Sequence, residues 1–354
     1  MIDDLKSYFE KSNLSFIKEI PFDNLYFDER AQYMCKFGCK NYNRKYSCPP
    51  ESLKVKNEIQ KYDRAILFAT TFNYPENASY YKKRGLNYKK EYEIQRISEE
   101  LDNKFSMLGV DHFVLAGGSC KRCNQCSFED NKPCKKPNRK QTSMEAVGID
   151  CQKTMHDAGF DFNISDSDSI NRCGCILLND ESFKGLENKK EKSNQKYHRP
   201  TKKEAKNMCS KLETEYSKFF EEVCLINISD IKNSEKICNP SCKSYGKTFS
   251  CPPYSEKIDL DLWDYAIIWK WSESNYKKYR YNQALKKIHG AFYSIGYYFA
   301  LSLRDCNCKE CQICNYEKND ESYCENRKIL APSMQSQGID PNQFGNGKFG
   351  VELI

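Results

Sequence analysis

Asp111-His-Phe-Val-Leu-Ala-Gly-Gly118 runs directly into Ser119-Cys120-Lys-Arg-Cys123-Asn-Gln-Cys126. An apolar run closed by paired glycines reads as a buried strand that delivers the chain into a loop. That loop carries three thiols in a C-x2-C-x2-C run, and Cys134 stands eight residues after Cys126. Iron–sulfur clusters are held by Cys thiolates at such spacings, because a short loop aims several sulfurs into one space. The pattern returns as Cys308-Lys-Glu-Cys311-Gln-Ile-Cys314, with Cys324 ten residues on.

Upstream of the first loop, Arg64-Ala-Ile-Leu-Phe-Ala-Thr-Thr-Phe72 predicts a buried strand. Residues 87–108 have helical periodicity through Tyr92, Ile94, Ile97, Leu101, Phe105 and Leu108. Strand, long helix, strand is a βαβ-like crossover, with the relative direction of its strands left open. Further upstream lie a short amphipathic helix (3–12), a strand-like piece (Leu14 to Ile20) and a helix-like stretch (51–61). Between the last two, Cys35-x3-Cys39 is followed by Ser47-Cys48-Pro49-Pro50, where paired prolines end regular structure and leave a loop presenting sulfur. Downstream, Ser143-Met-Glu-Ala-Val-Gly-Ile-Asp150 predicts a short helix stopped by Gly148, then a second at 151–158 and a closing strand from Cys173.

The second half restates this plan. Cys238-x3-Cys242 precedes Ser250-Cys251-Pro252-Pro253 at the spacing of Cys35, Cys39 and Cys48. Asp340 follows Cys324 by sixteen residues, as Asp150 follows Cys134. Ser333-Met334 and Gly338-Ile339-Asp340 match Ser143-Met144 and Gly148-Ile149-Asp150. So many fixed offsets mark an internal duplication. The expected elements are helices at 203–222 and 275–295, and strands at Val223–Ile228, Tyr265–Lys270 and Tyr297–Leu303. The predicted fold class is α/β, with two homologous repeats, each a small sheet with crossover helices and a cysteine-rich cluster-binding edge. The first repeat spans 1–180 and the second 205–354, joined by the Lys-, Glu- and Asn-rich linker 181–204.

A chain of 354 residues is long enough for two cores, and 24 Tyr with 20 Phe imply that burial leans on aromatics. No apolar run reaches the ~18 residues of a membrane span. The opening Met1-Ile-Asp-Asp lacks the basic flank of a signal peptide, so a cytoplasmic protein is expected. In a reducing compartment, 20 cysteines point to metal or redox chemistry rather than disulfides. Only four histidines are present, none at zinc-finger spacing. The formal charge of +7 counts thiols as neutral. Two fully Cys-ligated [4Fe–4S] centres at roughly −2 each would leave about +3. Basic residues are spread out and interleaved with acids, which argues against nucleic acid.

The C-x3-C element with its Ser-Cys-Pro-Pro, the C-x2-C-x2-C loop and the Ser-Met-Glu-Ala-x-Gly-Ile-Asp tail resemble the uncharacterised, cysteine-rich "predicted metal-binding" proteins of anaerobic bacteria and methanogenic archaea. The resemblance covers most of the first half and, more weakly, the second. It implies a cytoplasmic metalloprotein, iron–sulfur in kind, and brings no reaction with it. The second half departs at Glu145, matched by Gln335, which argues against a shared catalytic carboxylate there.

The matched thiols are Cys35, Cys39, Cys48, Cys120, Cys123, Cys126 and Cys134, then Cys238, Cys242, Cys251, Cys308, Cys311, Cys314 and Cys324. A cubane cluster takes four ligands, so each set of seven divides as four plus three. Two to four [4Fe–4S] clusters per chain fit this count, with zinc as the alternative metal. Either the Pro-followed Cys48 and Cys251 complete the C-x2-C-x2-C sets, as a remote Cys does in ferredoxins, or Cys134 closes its own loop.

Three functions follow: low-potential electron transfer, alone or as redox subunit of an anaerobic enzyme; an enzyme using an open iron for sulfur transfer or small-molecule reduction; or a zinc-stapled interaction module. The implied partner is a redox protein or a small-molecule substrate, with no membrane. Substrate, cluster count and oligomeric state are not legible. Tyr42 stands where a radical S-adenosylmethionine motif needs its third Cys, which excludes that class. Gly117-Gly118 precedes a cysteine loop rather than a helix, so a tight turn explains it better than a phosphate site. Cys173 and Cys175 read as strand packing rather than an extra ligand pair. The unmatched Cys151, Cys209, Cys224 and Cys306 read as buried thiols, and His112 and His289 as core residues. Tyr42 and Tyr245, each three residues past a motif Cys, are candidates to pack over a cluster. Arg139 lies near the first loop, and its counterpart is Ile329.

Overall fold

Ala65, Leu67 and Ala69 of one strand join one buried cluster, while the intervening Ile66 and Phe68 join another. This period-two alternation, apolar on both sides, belongs to a strand covered on both faces. It is seen in a computed structural model that describes residues 8–9, 11–162, 169–179, 183–186, 199–217, 219–233, 238–255, 257–272, 281–294, 297–305, 308, 314–318, 324 and 330–354. The chain divides into two compact units, Met1–Cys35 with Asn41–Tyr197, and Lys36–Lys40 with His198–Ile354.

In the first unit the strands are β1 (Phe16–Pro21), β2 (Arg64–Asn73), β3 (His112–Ala116), β4 (Thr142–Ser143) and β5 (Ser169–Leu178), in sheet order β1-β2-β5-β3-β4. β5 is antiparallel to both β2 and β3. The crossover strands β2 and β3 are therefore parallel, with β5 inserted between them. The longer helices are α1 (Glu29–Gly38), α2 (Tyr80–Met107) and α3 (Cys151–Asp157), and the expected stretch 51–61 holds a 3-10 turn (Glu51–Val55) running into one helical turn (Lys56–Ile59). α2 starts before the expected residue 87, because Ser79 caps it by accepting a hydrogen bond from the Lys82 amide. Its Ile94, Ile97, Leu101 and Phe105 bury one helical stripe against Ile66, Phe68, Ile176 and Leu178. The other sheet face packs on Met144, Val147, Ile149, Cys151 and Met155. Each such fully buried side chain stabilises by about 1.5–3 kcal/mol.

In the second unit β6 (Phe220–Asn227), β7 (Tyr265–Trp271), β8 (Leu301–Arg304) and β9 (Phe349–Leu353) take the order β6-β7-β9-β8. β9 is again antiparallel to both neighbours, so it repeats the role of β5. α4 (Lys202–Glu215) opens on a full capping box between Thr201 and Glu204, and α5 (Tyr281–Ser294) follows β7. Phe220, Trp269, Trp271 and Phe292 supply much of this core, the aromatic burial that the composition implies. In both sheets a glycine on the inserted strand accommodates an aromatic of its neighbour. A Cβ on Gly174 would lie 2.6 Å from the Phe68 ring and 2.8 Å from the Leu115 carbonyl, and one on Gly350 would overlap the Trp269 ring.

Some expectations need correction. β9 was not anticipated. α4 ends at Glu215 rather than 222, because β6 already begins at Phe220. The strand expected over Tyr297–Leu303 starts only at Leu301, since Tyr297–Ala300 make a turn closed by the Ala300 amide on the Tyr297 carbonyl at 3.2 Å. The expected helix at 3–12 and the start of that at 275–295 lie largely outside the described residues. Among the described residues, no helix is long and apolar enough to cross a membrane.

Candidate metal centre

Both repeats fold their Cys-Pro-Pro turns in the same way. Prolines donate no hydrogen bond, so the turn is closed by the amides of Asn43 and Gly246, each 2.8 Å from the carbonyl of Pro49 or Pro252. Both donors sit at positive φ, 51° and 66°. The serine before each cysteine then anchors the second loop. Ser47 Oγ accepts the Cys120 amide at 3.3 Å, and Ser250 Oγ accepts the Cys308 amide at 2.8 Å. The downstream tails match as well. Ala116 pairs in parallel with Ser143, as Arg304 does with Ser333. Gly148 and Gly338 turn the chain at φ 94° and 78°. A glycine suits this left-handed conformation, which explains the stop read at Gly148.

In the first repeat Cys120, Cys123, Cys126 and Cys134 line one pocket together with Lys45, Ser47, Arg122, Lys135, Lys136 and Lys140. The loop is held to α2 by Gln95, which is 2 % exposed. Its Nε2 donates to the carbonyls of Gly117 (3.2 Å) and Ser119 (2.6 Å), and its Oε1 accepts the Lys121 amide (3.1 Å). Lys121 pairs with Glu91 and lies over the rings of Tyr88 and Tyr92. Arg122 and Arg139 both pair with Glu99. Lys45 Nζ donates to the Cys120 carbonyl at 2.8 Å. On the Cys134 side, Tyr46 OH donates to the Lys132 carbonyl and Ser127 Oγ to the Pro133 carbonyl, both at 2.7 Å. Gln95 and Lys45 were not singled out in the sequence, and Ser47 only as part of the Ser-Cys-Pro-Pro motif. A polar residue on a charged helix gives no sign that it will be buried as a clamp.

The remaining predicted ligands are placed as follows. Cys35 lies near the end of α1 and Cys39 just beyond it, both half-buried, and Cys48 is buried. None of these three lines the pocket described above. In the second unit Cys238 is half-buried, Cys242 exposed and Cys251 buried, and Cys238 shares a hydrogen bond with Cys242. Burial first, and then the neighbouring thiols of Cys251 and Cys242, push Cys238 above its usual range. Burial also raises Cys251, partly offset by hydrogen bonds from Thr248, Ser250 and Ser333. Cys308 and Cys314 are half-buried and Cys324 is buried, whereas Cys311 lies outside the described residues. Among the described residues, no three His, Cys, Asp or Glu side chains converge closely enough to hold a single metal ion.

Cys173 and Cys175 pack in the core with Cys151. Cys151 shares a hydrogen bond with Cys173, which together with burial pushes its thiol well up. Cys209 is half-buried, but Cys224 is exposed, a correction to its reading as a core thiol, because alternate positions of β6 face out. His112 bonds Asp102 and the Val110 carbonyl, and His289 bonds Glu352. Cys306 lies outside the described residues.

Two α/β repeats that each present one C-x3-C-x8-C-P-P turn and one C-x2-C-x2-C loop define a duplicated, cysteine-rich metal-binding protein. The chain belongs to the family described as Predicted metal-binding protein (DUF2284), whose profile matches residues 18–178 and again 224–346. No match was found among curated proteins or among solved structures.

Proposed function

We propose that the protein is an iron–sulfur protein, with a [4Fe–4S] cluster held in the first repeat by Cys120, Cys123, Cys126 and Cys134. The observation that carries this reading is the pocket those four thiols share with five cationic side chains. The donor set fits the group. A cubane takes one thiolate on each of four irons and so suits sulfurs that ring a space, whereas a zinc ion needs them about 2.3 Å from one point. Four thiolates around such a cluster leave about −2, which the cations lining the pocket would help offset. When bound, the cluster would supply one-electron transfer at low potential. Ser47, Gln95 and Lys45 set the loop's path by taking or donating its backbone hydrogen bonds. The duplication assigns the same role to Cys308, Cys311, Cys314 and Cys324. In this arrangement Cys134 closes its own loop, and Cys48 belongs to the other set.

A second reading is favoured by the grouping of Cys238, Cys242 and Cys251. Three thiolates on a cubane leave one iron for an outside ligand, the arrangement an enzyme of sulfur transfer or small-molecule reduction would use. Iron, acid-labile sulfide and zinc per chain, measured after purification without oxygen and paired with a visible spectrum, test both readings. About eight irons mean one cluster per repeat and an electron carrier, and about sixteen mean open sites as well. Zinc without visible absorbance overturns both.

A further inference from the structure

The two cysteine loops differ in charge. From Cys120 to Lys140 the chain carries seven Lys and Arg against Glu129 and Asp130, whereas from Cys308 to Leu330 it carries four against five acids. At the matched positions Lys45, Arg122, Lys135 and Lys136 are replaced by Thr248, Glu310, Glu325 and Asn326. Part of the first loop's positive charge is used locally, since Arg122 and Arg139 pair with Glu99 and Lys121 pairs with Glu91. Lys132, Lys135 and Lys136 are exposed. They flank Cys134 in the chain, Lys135 and Lys136 line the thiol pocket, and Glu129 nearby is already paired with Arg44. A bound cluster of about −2 would not cancel the loop's surplus of about five positive charges.

We infer that the Cys120–Lys140 loop is the docking face for the acidic surface of a partner protein, and that the corresponding loop of the second repeat is not. A small anion is the poorer fit. On the reading above the space among the four thiols is taken by the cluster, and Lys132, Lys135 and Lys136 are all exposed beside it rather than enclosing a site of their own. A spread of exposed like charges is the form that steers a large complementary surface and fixes its register. The docking rests on the redox reading for its purpose, because it would bring a partner beside the first centre. Its charge argument stands without a metal.

The test uses the full chain and fluorescein-labelled poly-L-glutamate, followed by anisotropy at low and at physiological ionic strength. The loop variant Lys132→Glu/Lys135→Glu/Lys136→Glu is compared with a control of equal charge change on exposed positions of α4, Lys202→Glu/Lys203→Glu/Lys206→Glu. We expect the loop variant to lose about tenfold in affinity at low salt and the control to lose less than about twofold, with the difference shrinking as salt rises. Equal losses in the two variants would overturn the inference. So would tighter binding of a labelled DNA duplex than of polyglutamate, or displacement of polyglutamate by equimolar inorganic phosphate. Iron content is measured on the same samples. A chain that takes no metal yet keeps the loop-specific loss refutes only the cluster. A metal-loaded chain without that loss refutes only the docking.

Discussion

Where helix meets sheet, the first repeat has Leu101, Val114 and Ile176, and at the matched positions the second has His289, Ser302 and Glu352. Both sets are cross-strand and helix-to-sheet neighbours: Val114 is paired with Ile176 and Ser302 with Glu352. The first trio is ordinary core. In the second, Ser302 Oγ donates to the fully buried Glu352, and His289 Nδ1 lies 3.0 Å from the same carboxylate. Yet the loop anchors barely differ. The serine before Cys-Pro-Pro, the turn-closing amide and the left-handed glycine recur in both repeats. Duplication has preserved the backbone that positions sulfur and has let the layer behind it and the charge in front of it diverge.

The largest effect that could break this comparison concerns the cysteines. Cys126→Ala and Cys134→Ala should each remove about four irons, and the double variant no more than either, because both act on one cluster. Cys48→Ala should act independently of Cys134→Ala. If iron analysis shows instead that Cys48 and Cys126 are non-additive, the Pro-followed cysteine completes the loop and the pocket has been misread. Cys314→Ala with Cys324→Ala asks the same of the second repeat.

Gln95→Leu comes next. It leaves the buried Gly117 carbonyl without its side-chain donor and frees the Lys121 amide, at a cost of about 1–3 kcal/mol for the buried group. Urea unfolding of the metal-free chain measures this. Gln283 stands at the matched position of the second repeat, so Gln283→Leu should weaken that half in the same direction. A large loss from one and none from the other would show that only one loop is clamped from its helix. Gly174→Ala and Gly350→Ala test the shared architecture more gently, each through overpacking worth about 1–3 kcal/mol. Downward shifts of the unfolding midpoint are expected from both, since each glycine faces an aromatic of the neighbouring strand.

Much of this was legible because cysteines and prolines leave little freedom. The spacing from Cys35 to Cys48 and from Cys120 to Cys134 recurs almost unchanged, and repeated spacing gave the duplication and the two loops. What escaped was set by tertiary context. Phe349-Gly-Val-Glu-Leu353 carries a glycine and an acid, a poor strand by composition, and it becomes one because Gly350 fits under Trp269 and Glu352 finds two partners. The path of the Cys134 arm was also out of reach, because it depends on hydrogen bonds from Tyr46 and Ser127 to the Lys132 and Pro133 carbonyls.

The smallest predicted effect is a pH dependence that should differ between the repeats. Each holds one histidine against a carboxylate, His112 with Asp102 and His289 with Glu352. For both, burial favours the neutral ring, but the hydrogen-bonded carboxylate outweighs it and the pKa rises above the usual 6.5. A raised histidine pKa contributes stability that is fully present below about 6.5 and is lost as pH climbs through the folded-state value. Each pair has one exposed member, Asp102 (40%) against His112 (7%) and His289 (36%) against Glu352 (0%). It is the carboxylate of the first pair and the imidazole of the second that meets solvent, so the carboxylate that holds the charge is the screened one only in the first. Melting curves between acidic and mildly alkaline pH should therefore show the second repeat weakening more than the first. Glu352→Gln should flatten that slope and Asp102→Asn should change it little. If Asp102→Asn proves the stronger, the buried Ser302–Glu352–His289 set holds its charge by means other than the imidazolium, and the divergence between the two cores is one of packing alone.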